Sequence, residues 1–173
     1  MKNKKSLILL NLLILFVTPA FGNIQNLSVV TKADVETILE LKIEQSGQSE
    51  LHFGNIQPSS TQSTQVGPVT VKIRVTSNIG ESYHVTQSMS NALENGEGDK
   101  IDPENLKFKT TAAKTGGTMI TTPTPVSKTA QTIYLSDAKG TSDTIRVEYT
   151  LTVPALQAPG DYSTLLTYTV SSL

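Results

Sequence analysis

The sequence predicts an all-β fold, an immunoglobulin-like sandwich of about 7–9 antiparallel strands, on three observations. Apolar residues recur at every second position through most of the chain. Clusters of Gly, Pro, Asn and Ser interrupt these runs at short intervals. Strong helix formers are diluted by Thr, Val and Gly everywhere except near Ala92 to Glu94, where at most a single helical turn is expected.

The clearest run sets Val69, Val71, Ile73 and Val75 against Thr70, Lys72, Arg74 and Thr76, which puts the branched apolar groups on one face of a half-buried strand. A second sets Ile145, Val147, Tyr149, Leu151 and Val153 against Thr144, Arg146, Glu148, Thr150 and Thr152. It ends at Pro154, which has no N–H for a ladder. A third runs from Tyr162 through Thr164, Leu166, Tyr168 and Val170, launched by the turn residues Pro159-Gly160-Asp161. Weaker strands are expected over residues 35–44, 51–56, 83–88, 106–110 and 132–135. The first of these also reads as a helix, because Glu36, Glu40 and Glu44 fall at helical spacing. Polar loops are expected over 57–67, 91–102 and 112–128.

Lys2, Lys4 and Lys5 precede an apolar run from Leu7 to Val17, closed by Thr18-Pro19-Ala20-Phe21-Gly22. That is the pattern of a cleaved export signal over 1–22, with a mature start at Asn23, and it places the protein in the periplasm, at the cell surface or outside the cell. No later stretch approaches the length of a membrane span. The organisation expected is a leader or donor strand over 23–34 followed by one sandwich domain over 35–173. Without the signal the chain carries 11 basic and 15 acidic residues, a net charge of −4 that argues against nucleic acid as a partner. Cysteine is absent, so the core must hold the domain without disulfides. Tryptophan is absent and only nine residues are Phe or Tyr, which weakens any aromatic platform for sugars or bases.

Catalytic signals are sparse. His52 and His84 are the only imidazoles, neither lies in a catalytic motif, and His84 alternates with Tyr83 and Val85 on the solvent pleat of a strand. A transition-metal site lacks ligands. The segment Asn95-Gly96-Glu97-Gly98-Asp99-Lys100-Ile101-Asp102 offers Glu97, Asp99 and Asp102 as a weak calcium candidate, without the spacing of an EF-hand. Glu40 with Glu44, or Asp137 with Asp143, offer paired carboxylates of the kind glycoside chemistry uses, but such residues are normal on strand surfaces and in turns. Gly116-Gly117 follows no strand-to-helix signature and reads as a flexible turn, so no cofactor is expected. Asn26-Leu27-Ser28 matches a glycosylation acceptor in form only.

Leu51-His52-Phe53-Gly54-Asn55-Ile56-Gln57-Pro58, Ile133-Tyr134-Leu135-Ser136-Asp137-Ala138, Val153-Pro154-Ala155 and Ala158-Pro159-Gly160-Asp161-Tyr162 together resemble the spore coat protein U and archaic chaperone–usher pilin group. Secreted WxL-type domains have a similar look. In chaperone–usher pilins a glycine fourteen from the end precedes a last alternating strand; Gly160 stands at that place, followed in step by Tyr162, Leu166, Tyr168 and Val170. The chain departs from the pattern at Ser172, where those pilins carry tyrosine, and in lacking their cysteine pair. The resemblance implies a sandwich that accepts an extended segment from an identical or related subunit, with a periplasmic chaperone as a further partner.

The function expected is therefore a non-enzymatic, fimbrial or coat-like surface subunit that assembles by strand addition. Gly160, Tyr162, Leu166, Tyr168 and Val170 form the accepting edge, and Ile24, Leu27 and Val29 belong to the donor. The alternative is a monomeric binding module that recognises a glycan or cell-wall polymer through the loops 57–67 and 112–128.

Overall fold

The two cleanest alternating runs become the two longest strands, and they lie side by side. In a computed structural model that describes residues 32–44, 50–113 and 115–173, the larger sheet runs in the order β1 (Leu39–Ile43), β2 (Thr64–Ser77), β10 (Asp143–Val153), β6 (Leu106–Ala112) and β8 (Thr124–Pro125). The smaller sheet runs β11 (Leu166–Ser172), β3 (Tyr83–Met89), β9 (Gln131–Leu135) and β7 (Thr118–Met119). Five and four strands make nine, all antiparallel, as the alternation predicts. A separate hairpin joins β4 (Leu93–Glu94) to β5 (Lys100–Ile101). Contacts divide the chain into 1–34 and 35–173, and every strand among the described residues lies in the second unit.

Period-two burial drives the pairing of the sheets. On β10 the inward positions Ile145, Val147, Tyr149, Leu151 and Val153 are all buried, and Ile145 and Val147 stand opposite Ile73 and Val71 of β2. The smaller sheet answers with Tyr83, Val85 and Met89 on β3 and with Ile133 and Tyr134 on β9. These residues form one continuous apolar cluster, and each large side chain removed from water contributes about 1.5–3 kcal/mol. Aromatic rings brace the interior in tilted pairs: Tyr83 with Tyr134 at 6.1 Å and Phe108 with Tyr149 at 6.4 Å between centroids.

Several local expectations are corrected. Residues 35–44 form a strand rather than a helix, but only from Leu39 to Ile43. Residues 51–56 form no strand; Leu51, Phe53 and Ile56 pack against the core from irregular backbone. At Ala92 to Glu94, where at most a helical turn is expected, Leu93 and Glu94 pair with Ile101 and Lys100, and the one 3-10 turn among the described residues lies at Pro103–Asn105, with proline at its start. The loop 57–67 ends early because β2 begins at Thr64 and runs straight through Gly67-Pro68. It can do so because the register shifts there: Tyr149 faces Val69 and Leu151 faces Val66, so β2 carries an extra residue and the proline sits in a bulge. Gly67 has φ of +101°, and a Cβ there would stand 2.7 Å from the Tyr149 carbonyl oxygen.

Candidate functional site

Each sheet has two edges, and they are unequally protected. On one side of the sandwich the edges are β7 and β8, two residues each, and β8 contains Pro125. On the other side are β1 and β11, which approach each other across the seam between the sheets. β1 carries Glu40 and Lys42, the kind of charge that blunts an edge. β11 spans seven residues, and from Tyr162 to Leu173 there is neither a charged residue nor a proline.

The hydrogen bonds fix which main-chain groups this edge offers. Ser90 N–H donates to the Leu165 carbonyl and Leu173 N–H to the Ser82 carbonyl, so the odd-numbered residues of β11 pair with β3. The N–H and C=O groups of Leu166, Tyr168, Val170 and Ser172 therefore point off the sheet, and no strand among the described residues pairs with that margin. By the same reasoning, Glu44 N–H to the Lys72 carbonyl and Asn78 N–H to the Ile38 carbonyl leave Leu39, Leu41 and Ile43 pointing off β1.

Apolar exposure gathers at the same two strands. Of the six exposed large apolar side chains among the described residues, Val35, Ile38 and Ile43 lie on or just before β1, and Leu165 and Leu173 flank β11. The sixth, Leu156, lies in a loop elsewhere. Leu166, Tyr168 and Val170 turn toward the core and remain half-buried, as do Leu39 and Leu41 across the seam.

The predicted edge residues divide into two groups. Leu166, Tyr168 and Val170 are together on β11, opposite Met89, Gln87 and Val85. Gly160 and Tyr162 are not on the strand, which starts four residues after Tyr162, although burial already alternates from Tyr162 onward. Tyr162 donates its hydroxyl to the Ala158 carbonyl at 2.9 Å and accepts from Gln157 at 2.8 Å, closing its own loop. Gly160, at φ +147°, lies against Asn95, whose amide nitrogen would be 2.8 Å from a Cβ. Ile24, Leu27 and Val29, with most of the leader 23–34, lie outside the described residues, as do the signal segment and Asn26-Leu27-Ser28.

The acidic loop is organised by Asn95 rather than by a cation-binding set. The buried Asn95 side chain accepts from the N–H groups of Glu97 and Asp99 and donates to the Asp99 carboxylate at 3.0 Å and to the Pro159 carbonyl. Glu97 and Asp102 are exposed, and no group of three potential ligands that could hold a metal occurs among the described residues.

The other polar candidates are also held apart. His52 Nδ1 accepts from the Gly54 N–H, and His84 lies half-buried on the outward face of β3. Neither imidazole bonds to a carboxylate among the described residues. Glu44 is shared by Lys72 and Arg74, and the Lys72 ammonium holds its carboxyl below the usual range. Asp137 accepts from the Thr141 N–H and hydroxyl, which lower its pKa. Asp143 is buried, and its carboxylate accepts from Thr115 and from the Tyr134 hydroxyl at 2.7 Å.

Two surface depressions among the described residues bear on these candidates. One of about 650 Å³ is lined by Asp102, Pro103, Glu104, Val126, Lys128 and Gln131. The other, of about 220 Å³, lies where Gln65 and Pro68 meet Pro123, Lys107, Lys109 and Thr150. Neither contains a histidine or either of the suspected carboxylate pairs.

Sequence reasoning missed Asn95 and Gly117. Gly117 is no mere flexible turn: a Cβ there would come within 2.4 Å of the Tyr134 ring, so the glycine lets the backbone lie against that tyrosine. No motif marks it, because the demand comes from a residue of another strand.

No family model and no curated protein matches the sequence. Among solved structures, a family 123 glycoside hydrolase from Clostridium perfringens, studied for glycolipid glycan hydrolysis, is similar over 61% of this chain and 18% of that chain, with 19% identity and a TM-score of 0.36. A likeness at that level carries no argument about fold or function.

Proposed function

We propose that this chain is an exported, non-enzymatic structural subunit that assembles by β-strand addition, accepting an extended segment of a neighbouring copy along the margin of β11. One observation carries the reading: among the described residues, five of the six exposed large apolar side chains lie on or beside β1 and β11, next to an uncharged edge with open main-chain groups. A strand added there bonds the main-chain groups of Leu166, Tyr168, Val170 and Ser172 and takes Leu165 and Leu173 out of water. The donor is the segment 23–34, through Ile24, Leu27 and Val29; a periplasmic chaperone occupies the same margin before assembly. The export signal over 1–22 and the pilin-like turn motifs support this reading.

Size-exclusion chromatography of the chain beginning at Asn23 tests it. The full chain forms oligomers that grow with concentration. Deletion of 23–34, or the edge substitutions Thr167→Lys and Thr169→Lys together, leaves a monomer. Oligomers that persist in both variants, or a monomer in all three proteins, would contradict the proposal.

A second reading has one observation behind it. The start of β2, at Gln65 and Pro68, and the connection between β6 and β9, at Pro123, meet at the 220 Å³ depression, which suits a surface that binds a glycan or cell-wall polymer.

A further inference from the structure

The outer face of the larger sheet carries charge that folding does not explain. Lys42 on β1, Lys72 and Arg74 on β2, Arg146 on β10, and Lys107 and Lys109 on β6 occupy its outward positions. Only Glu40, Glu44 and Glu148 oppose them there, so the face has a surplus of three positive charges. Residues 35–173 as a whole hold ten basic against fourteen acidic residues, a net charge of −4. Positive charge has thus been gathered on one face of an acidic domain.

Register makes the arrangement costly. Lys42 stands directly opposite Arg74, and Lys72 directly opposite Arg146; like charges at facing positions destabilise a sheet. Glu44 reaches Lys72 at 2.7 Å and also Arg74, and Glu148 reaches Lys109 at 3.3 Å. Lys42, Lys107 and Arg146 make no ion pair among the described residues. Solubility does not require this, because the outer face of the smaller sheet presents Thr86, Ser88, Thr132, Thr167 and Thr169 at the equivalent positions without any Lys or Arg.

We propose that this face binds a linear anionic polymer, an acidic polysaccharide. Cations on alternate residues of neighbouring strands form a grid with spacings of roughly 7 Å along a strand and about 5 Å between strands, which suits a chain of repeating negative charges. The 220 Å³ depression adjoins the grid at Lys107 and Lys109, where Gln65 and Thr150 offer neutral groups to sugar hydroxyls. No aromatic side chain points outward from this face, so it lacks the stacking platform with which single-stranded nucleic acids are held. The site names the ligand class for the binding reading and is separate from strand addition, which uses the other sheet.

The test measures binding of the chain from Asn23 to polygalacturonate at low and high salt, with neutral dextran and a single-stranded oligonucleotide as controls. Polygalacturonate is bound at low salt, dextran is not, and the oligonucleotide is bound more weakly. Lys42→Gln, Lys107→Gln and Arg146→Gln together weaken the binding by about tenfold or more, while the melting temperature stays level or rises because facing cations are relieved. The pair Thr167→Lys and Thr169→Lys, which blocks strand addition, still binds polygalacturonate. Equal binding by the triple variant, no preference over dextran, or tighter binding of the oligonucleotide overturns the proposal.

Discussion

The hydroxyls of Tyr149 and Tyr168 lie 2.6 Å apart, tying the edge strand β11 to the middle of the opposite sheet. Tyr149 spends its own proton on the Gln87 side-chain oxygen, so Tyr168 is the donor to Tyr149. The polar chain Tyr168–Tyr149–Gln87 crosses between the two sheets, and Gln87 is 1% exposed. It anchors from within the same strand whose outer margin is open.

The order of donors predicts unequal costs for two similar substitutions. Tyr168→Phe removes one donor at the rim of the core and costs about 1 kcal/mol. Tyr149→Phe also strands the buried Gln87 amide, whose Nε2 has no partner among the described residues, and costs about 1–3 kcal/mol. Denaturant midpoints of the two variants check this; an equal or larger loss for Tyr168→Phe contradicts the donor order.

Buried tyrosines make the fold sensitive to alkali. Burial raises the hydroxyl of Tyr168 from 10.0 to about 12, and burial with the nearby Asp143 charge raises that of Tyr83 to about 12. Burial also raises Tyr134 and Tyr149. Above pH 10 the unfolded chain loses these protons first, so the stabilisation is complete below pH 10 and disappears as pH rises through about 12. Circular dichroism followed together with phenolate absorbance is expected to show unfolding and tyrosine ionisation in one transition. Ionisation at the ordinary tyrosine value with the fold intact would contradict it.

Neighbouring glycines should respond differently. A Cβ added at Gly116 would have nothing within 4 Å, whereas one at Gly117 would meet the Tyr134 ring at 2.4 Å. Gly116→Ala is expected to change stability by less than about 0.5 kcal/mol and Gly117→Ala to cost about 1–3 kcal/mol. Thermal melting of the two proteins decides the matter.

Asp143 is a buried carboxylate with structural bonds. Asp143→Asn weakens the bonds from Thr115 and Tyr134 and is expected to cost about 2 kcal/mol, with Asp143→Ala costing more. Chemical denaturation of both variants checks the ranking.

Legibility followed the range of the physics involved. Alternation at Val69 to Val75 and Ile145 to Val153 reports burial directly, so both central strands were readable residue by residue. Leu51, Phe53 and Ile56 have the composition of a strand but find no partner strand among the described residues, and pairing is a property of the whole sheet. At the site, Leu166, Tyr168 and Val170 were readable from their spacing, whereas Tyr162 belongs to a loop closed by Gln157 and Ala158, contacts that alternation does not encode. The cation grid was hidden because a net charge of −4 sums over both faces and all loops, while Lys72 and Arg146 meet only through register.

Amide hydrogen exchange along β11, in the chain beginning at Asn23, tests strand addition most directly. Thr167, Thr169 and Ser171 point their N–H groups at β3 and are expected to be protected at every concentration. Leu166, Tyr168, Val170 and Ser172 should exchange quickly in dilute protein and slow sharply as the protein is concentrated. Fast exchange of these four amides at all concentrations, with oligomers present, would place the contact between copies somewhere other than this margin.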